Sequence, residues 1–203
     1  MTVERAAELL STARRAVALT GAGVSAESGI PTFRGEGGLW AKYDPVKVSS
    51  IDTFLADPAS YWRVSRDRGR VAGSGRKVVC LDCGRVEPRS EVQERLDVEM
   101  PPRCRQCGGT RLKPTVVLFG EPMPAAAVQE SFELARNADV ILVVGSSLVV
   151  YPAAEVPLVA LRAGARMIVV NAEPTPFDRF AHVVIHGRSG EVLPQLAALV
   201  AER

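Results

Sequence analysis

Four cysteines constrain this 203-residue chain more than any other feature. They stand as two C-x2-C pairs, Cys80-Leu81-Asp82-Cys83 and Cys104-Arg105-Gln106-Cys107, with twenty residues between them. Each pair can present two thiolates to one ion from a tight knuckle, and Gly84, Gly108 and Gly109 supply the backbone freedom such knuckles use. Four thiolates fill a tetrahedral shell and leave no place for water. The expected ion is therefore a structural Zn2+, with another thiolate-bound metal as the next reading. Two disulfides fit poorly with a cytoplasmic chain, and a thioredoxin-like couple needs only one pair, on a strand-to-helix turn.

The cysteine module, about residues 78–111, interrupts an alternating pattern. A helix is expected over 3–14, with Ala6, Leu9, Leu10 and Ala13 on one face. The apolar run Ala16–Thr20 reads as a buried strand ending in Gly21-Ala22-Gly23, with a helix starting over 24–29. A short helix follows Asp57-Pro58, through Tyr61, Trp62 and Val64. The basic, Gly/Ser-containing stretch Ser65–Lys77 reads as a solvated loop. Beyond the module come strand 116–119, helix 124–137, strand 140–144, helix 153–163, strands 167–170 and 183–185, and helix 189–201. Such alternation predicts an α/β fold with a Rossmann-like parallel sheet and a small inserted zinc ribbon. The expected division is 1–34 with 112–203 for the nucleotide domain and 35–111 for the small lobe.

Composition narrows the partners. The chain is 47% hydrophobic, and its 25 basic and 23 acidic residues leave a net charge of +2. That gives a core and no electrostatic reason to expect nucleic acid. No apolar run matches a signal peptide or a bilayer span, so the expected location is cytoplasmic, without a membrane partner.

Gly21-Ala22-Gly23-Val24-Ser25-Ala26 fits G-x-G-x-x-A after a strand and before a helix. Glycines there let the backbone approach a diphosphate, which the helix N-terminus meets with free N–H groups. The motif alone is weak, and a strand-to-helix turn with no ligand is the bland alternative.

The longer stretch GAGVSAESGIPTFRG, Gly21–Gly35, resembles the signature of the sirtuin family of NAD-dependent protein-lysine deacylases. Four further matches follow in the family's order: the cysteine pairs, KPTVVLFGEP (Lys113–Pro122), GSSLVVYPA (Gly145–Ala153) and VNAEP (Val170–Pro174). The resemblance implies NAD as cofactor. Ala22, with the backbone of Gly21 and Gly23 and with Ser25 nearby, would hold its diphosphate. Phe33 would cover the reacting ribose, and Arg34 would order the cofactor loop. Gly145, Ser146 and Ser147 would contact phosphate and ribose, and Asn171 the adenosine ribose. Phe119-Gly120-Glu121 and Val149–Tyr151, with Val149 and Tyr151 at its ends, would flank an extended acyl-lysine peptide as added strands.

The chain departs from the family's pattern in one region. A T-Q-N-I/V-D segment and a following His-Gly, the source of the family's general base, are not found between Trp62 and Cys80. No catalytic residue is therefore assigned. His186-Gly187 matches the pair by letters only, at the wrong place in the chain. In a 3-2-1-4-5-6 sheet, such a deletion removes strands 2 and 3 and makes strand 1 an edge that invites dimerisation or instability. Three functions follow: a deacylase releasing nicotinamide and O-acyl-ADP-ribose, with weakened activity; an NAD- or ADP-ribose-binding homologue without turnover; and a zinc-ribbon interaction protein. Oligomeric state and acyl preference are not readable.

Overall fold

The computed structural model describes residues 2–29, 32–35, 37–67 and 75–203. In chain order its elements are α1 (Thr2–Ser11), β1 (Ala16–Thr20), α2 (Pro45–Ser49), α3 (Ile51–Ala56), α4 (Pro58–Asp67), β2 (Lys77–Cys80), β3 (Val86–Pro88), α5 (Arg89–Gln93), β4 (Leu112–Pro114), α6 (Ala125–Arg136), β5 (Val140–Val144), α7 (Val156–Arg162), β6 (Arg166–Asn171), β7 (Val183–His186) and α8 (Ser189–Ala201). Short 3-10 turns occupy Ala22–Ser28, Leu39–Ala41, Ala153–Glu155 and Asp178–Phe180. Two compact units result, Met1–Gly38 with Pro124–Arg203, and Leu39–Met123.

The first unit is a four-stranded parallel sheet in the order β1-β5-β6-β7. Side chains alternate between its faces, so two cores form. Val140, Val144, Ile168, Val170, Val183 and Ile185 pack with Ala6, Ala7 and Leu9 of α1 and Val192 and Leu196 of α8. Ile141, Val143, Met167 and Val169 pack on the other face with Ala135 of α6 and Val156 and Ala160 of α7. Central β5 and β6 are buried almost throughout, as strands covered on both faces must be, whereas β1 alternates between exposed and half-buried. The Asp139 carboxylate accepts from the N–H groups of Arg14 and Arg15 (2.8 and 3.0 Å) and so starts β1 beside β5. These donors hold its carboxyl below the usual value of 3.8.

The shortened sheet expected from the sequence is present among the described residues. Residues 60–67 belong to α4, and β2 pairs in the other sheet, so among the described residues no strand pairs with the outer edge of β1. Three expectations need correction. The apolar run 116–119 is not a strand; only Phe119 forms an isolated bridge, to Ser50. The segment after Gly21 is a 3-10 turn with none of its residues fully buried. The solvated loop expected over 65–77 begins later, because α4 runs to Asp67, and β2 starts at Lys77. Residues 68–74 of that stretch lie outside the described residues.

In the second unit β3-β2-β4 form an antiparallel sheet beside α2–α5. Its core gathers Phe54, Tyr61, Trp62, Val78, Val92, Leu96, Leu112 and Leu118 around Cys80 and Cys104. Trp62 is fully buried, and its Nε1–H donates to the Leu112 carbonyl at 2.9 Å. The Arg89 guanidinium lies over its ring at 4.5 Å. Buried Glu87 accepts from Arg95 at 2.9 Å. Asp44 and Ser50 cap α2 and α3 by accepting backbone N–H groups in their first turns.

Candidate dinucleotide site and metal centre

The C-terminal ends of β1, β5 and β6 are tied backbone to backbone. The N–H of Gly21 donates to the Val144 carbonyl, that of Gly23 to Gly145 and that of Gly145 to Val170, each at 2.9 Å. This approach requires glycine. A Cβ on Gly21 would overlap the Gly145 carbonyl oxygen and lie 2.7 Å from Ser146 Cα, and one on Gly23 would lie 2.8 Å from Gly145 Cα. Gly145 itself has φ +59°. Leu148, buried, takes φ +52° without being glycine, a strained backbone of the kind that clusters at ligand sites.

Above these ends opens a cavity of about 840 Å3 within the first unit. Of the cofactor residues expected from the sequence, Gly21, Ala22, Gly23, Phe33, Arg34, Gly145, Ser146, Ser147 and Asn171 line it, and Ser25 does not. Asn171 ends β6, and its side-chain amide donates to the Glu173 carbonyl at 2.7 Å. Sequence reasoning did not single out Glu27, Glu173 or Arg188, which also line the wall. Glu173 and Arg188 stand 146 and 161 residues beyond Glu27 in the chain, so no local pattern brings the three charges together. The shape and position suit a dinucleotide lying across a parallel sheet, with its anionic centre over the glycine turn.

Of the expected peptide residues, Val149 lines the cavity and is half exposed, and Tyr151 is largely exposed. Phe119, Gly120 and Glu121 belong to the second unit. There the Phe119 backbone is already paired: its N–H donates to Ser49 O at 2.8 Å, and its carbonyl accepts from Ile51 at 2.9 Å. Gly120 adopts φ +86°, and the Glu121 carboxylate accepts from Leu118 N–H and Lys113 Nζ at 2.7 and 2.9 Å.

Neither histidine is on the cavity wall. His182 Nδ1 accepts from Met167 N–H at 3.1 Å, and His186 Nε2 lies 3.5 Å from Asp178.

The four cysteine sulfurs lie within 4.8 Å of one another. Ligands 2.3 Å from a shared tetrahedral ion sit about 3.8 Å apart; Cys80–Cys107 and Cys83–Cys104 are both at 3.6 Å. The two knuckles are built alike. Gly84 N–H donates to Cys80 O and Gly108 N–H to Cys104 O, each at 2.9 Å, with both glycines near φ +75°. Burial pushes the Cys80 thiol up to about 12. Burial also opposes ionisation of Cys104, but the N–H groups of Cys107 and Gln106 and the neighbouring sulfurs outweigh it and bring that thiol to about 7. Donor set, separations and backbone all fit one closed, four-thiolate metal site, so this centre is structural.

Comparison with known proteins decides the family. The Sir2 family profile matches residues 21–69 and 65–152. This chain belongs to the Sir2 family. It is 44% identical to NAD-dependent protein deacylase 2 of Archaeoglobus fulgidus over 238 aligned positions, covering 96% of this chain and 94% of that protein. It is 41% identical to NAD-dependent protein deacylase 2 of Pyrobaculum aerophilum, covering 97% and 95%. Among solved Sir2 structures, one from work on Sir2 mechanism and regulation superposes with a TM-score of 0.90 at 42% identity, over 99% of this chain and 98% of that one. Sir2Af2 bound to a myristoylated histone peptide superposes with a TM-score of 0.81 at 35% identity, over 99% and 97%.

Proposed function

We propose that this Sir2-family chain binds NAD in the cavity of the first unit and is an NAD-dependent protein-lysine deacylase whose acyl-transfer step is slow. The observation that carries the reading is the backbone contact of Gly21 and Gly23 with Gly145 at the floor of that cavity. It packs the turn directly against the end of β5 and so forms the wall on which a diphosphate would rest. The names of its relatives, NAD-dependent protein deacylases and deacetylases, support the substrate class, an acylated lysine in a protein or peptide. So do neighbours solved with a myristoylated histone peptide and with ADP-ribose. Arg34 and Phe33 would order and cover the ribose end, Ser146 and Ser147 the phosphates and Asn171 the adenosine ribose. Ser25 would act from beside the turn. The peptide would run along Val149–Tyr151.

The slow step follows from the missing base. Loss of nicotinamide as the acyl oxygen attacks the ribose needs no proton acceptor, but the ensuing acyl transfer to a ribose hydroxyl does. Among the described residues no histidine faces the cavity. Support for a deletion near residue 65 comes from the alignments: the family profile matches in two pieces meeting at 65–69. The alignment with the Archaeoglobus protein runs over 238 positions but covers only about 195 residues of this chain, so the relative carries residues with no counterpart here. A general base contributes ~10²–10⁴ in rate. The same loss favours a second reading, an ADP-ribose-binding homologue with no turnover.

Four free cysteines support a reducing compartment, and among the described residues no helix is long and apolar enough to cross a membrane. We place the protein in the cytoplasm.

The test is nicotinamide release from NAD by zinc-loaded protein, with and without an acetyl-lysine peptide. Peptide-dependent release together with base exchange from added labelled nicotinamide, and deacetylation ~10²-fold or more slower than exchange, is expected. Binding of NAD without any peptide-dependent release would favour the second reading.

A further inference from the structure

The 3-10 turn Ala22–Ser28 carries the glycine floor yet buries none of its residues, so packing alone does not fix it. At its start Gly23 donates to Gly145. At its far end the Glu27 carboxylate accepts from the N–H of Gly190 at 2.6 Å and the hydroxyl of Ser189 at 3.3 Å. Those groups open α8, whose own N-cap, Arg188, provides no side-chain cap. Glu27 therefore caps a helix 163 residues further along the chain, with a negative charge at the positive end of the helix dipole. The fit is tight: a Cβ on Gly190 would stand 2.5 Å from Glu27 Oε2.

The cap joins two walls of one cavity. Gly187, Arg188 and Ser189 line it from the α8 side, and the N–H of Gly187 donates to Asn171 O at 3.2 Å. Gly21–Gly23 line it from the β1 side. We propose that Glu27 is a positioning residue: by capping α8 it sets the spacing between the diphosphate turn and the Asn171–Ser189 wall, and so the affinity for ligands that span both. This rests on the dinucleotide reading of the cavity. Glu27 also adds negative charge beside an anionic ligand, so a purely electrostatic role would have the opposite sign.

The experiment titrates ADP-ribose calorimetrically, and adenosine by ligand-observed NMR, into zinc-loaded wild type, Glu27→Ala, Glu27→Gln, Gly190→Ala and the Glu27→Ala/Gly190→Ala double variant. Circular dichroism first establishes folding at the titration temperature. Glu27→Ala is expected to weaken ADP-ribose about tenfold, the scale of one hydrogen bond to a charged group. Adenosine, which reaches one wall, should change less than about twofold. Glu27→Gln keeps an acceptor oxygen and should stay within about threefold of wild type for ADP-ribose. Gly190→Ala breaks the same contact from its other side, so the double variant should bind like the weaker single variant. Unchanged or tighter ADP-ribose binding in Glu27→Ala, equal losses for adenosine and ADP-ribose, or additive losses in the double variant would each overturn the proposal. If wild type itself binds no ADP-ribose, the dinucleotide reading fails, an outcome separate from these.

Discussion

Replacing Gly21 by alanine probes the joint on which the cavity rests. The new Cβ would sit 2.7 Å from Ser146 Cα and 2.8 Å from Ser146 Cβ, whereas carbon atoms prefer about 3.5–4.0 Å. All the opposing atoms belong to the Gly145-Ser146 backbone or its first side-chain carbon, so no flexible tip can swing away. Relief requires the ends of β1 and β5 to part by about 0.8 Å. That would stretch the two 2.9 Å bonds from Gly21 to Val144 and from Gly23 to Gly145 beyond useful length. Two backbone hydrogen bonds at ~1 kcal/mol each, or the ~1–3 kcal/mol of overpacking, give a loss of ~2–3 kcal/mol. For a chain of this size that lowers Tm by ~5–10 °C. ADP-ribose affinity should fall at least ~10-fold, because parting the strand ends displaces the diphosphate floor. Gly75→Ala is the matched control: its Cβ would meet only Val116 and Pro114 side chains, at 3.6 and 3.8 Å. Differential scanning fluorimetry and calorimetry read both effects. A Gly21→Ala protein with wild-type Tm and wild-type ADP-ribose affinity would refute the packing argument.

Other consequences follow from the same structure. Both tryptophans of the chain, Trp40 and Trp62, lie in the second unit, so their fluorescence reports on the unit that holds the cysteines. A strong zinc chelator, or Cys104→Ser, should red-shift that emission and lower the unit's thermal transition, and added Zn2+ should reverse the chelator's effect; unchanged emission after verified metal removal would contradict a structural role. Trp62→Phe leaves the buried Leu112 carbonyl without its donor and should destabilise the protein by ~2–3 kcal/mol in urea titrations. Asp139 has a depressed carboxyl value in the fold, so its contribution is fully present above 3.8 and is lost as pH falls through the lower folded value. The urea midpoints of wild type and Asp139→Ala should therefore differ at neutral pH and draw together as pH falls below 3.8, and a gap that does not narrow over the acid range would show that the carboxylate's charge is not the cause.

Much of the first unit was legible because its elements are long and regular. Apolar strands of four to six residues alternating with amphipathic helices, three of them ten residues or longer, announce a parallel sheet. The cysteine spacing was equally plain, since two identical knuckles need the same short motif twice. The second unit resisted reading for a physical reason. Helices α2 and α3 have only five and six residues, and β3 and β4 three each, too few for any period to show. Val116–Phe119 looked like a strand because it is apolar, but its backbone partners are dispersed. Lys113 Nζ donates to Val116 O at 2.7 Å, the Glu121 carboxylate takes Leu118 N–H, and only Phe119 pairs with Ser49 and Ile51. At the cavity, residues within the glycine turn and at strand ends were readable from local motifs. The Glu27 cap on α8 was not, because its partners are 162 and 163 residues away. The same holds for the buried pair of Glu87 and Arg95, which only the folded second unit makes sensible.

Titrating ADP-ribose into the zinc-loaded, folded chain at low salt, with heat as the signal, tests the central claim most directly. The account predicts saturable binding of one ligand per chain, lost when Gly21 is alanine. A flat titration at millimolar ligand, from protein whose metal content and melting transition are intact, would contradict it.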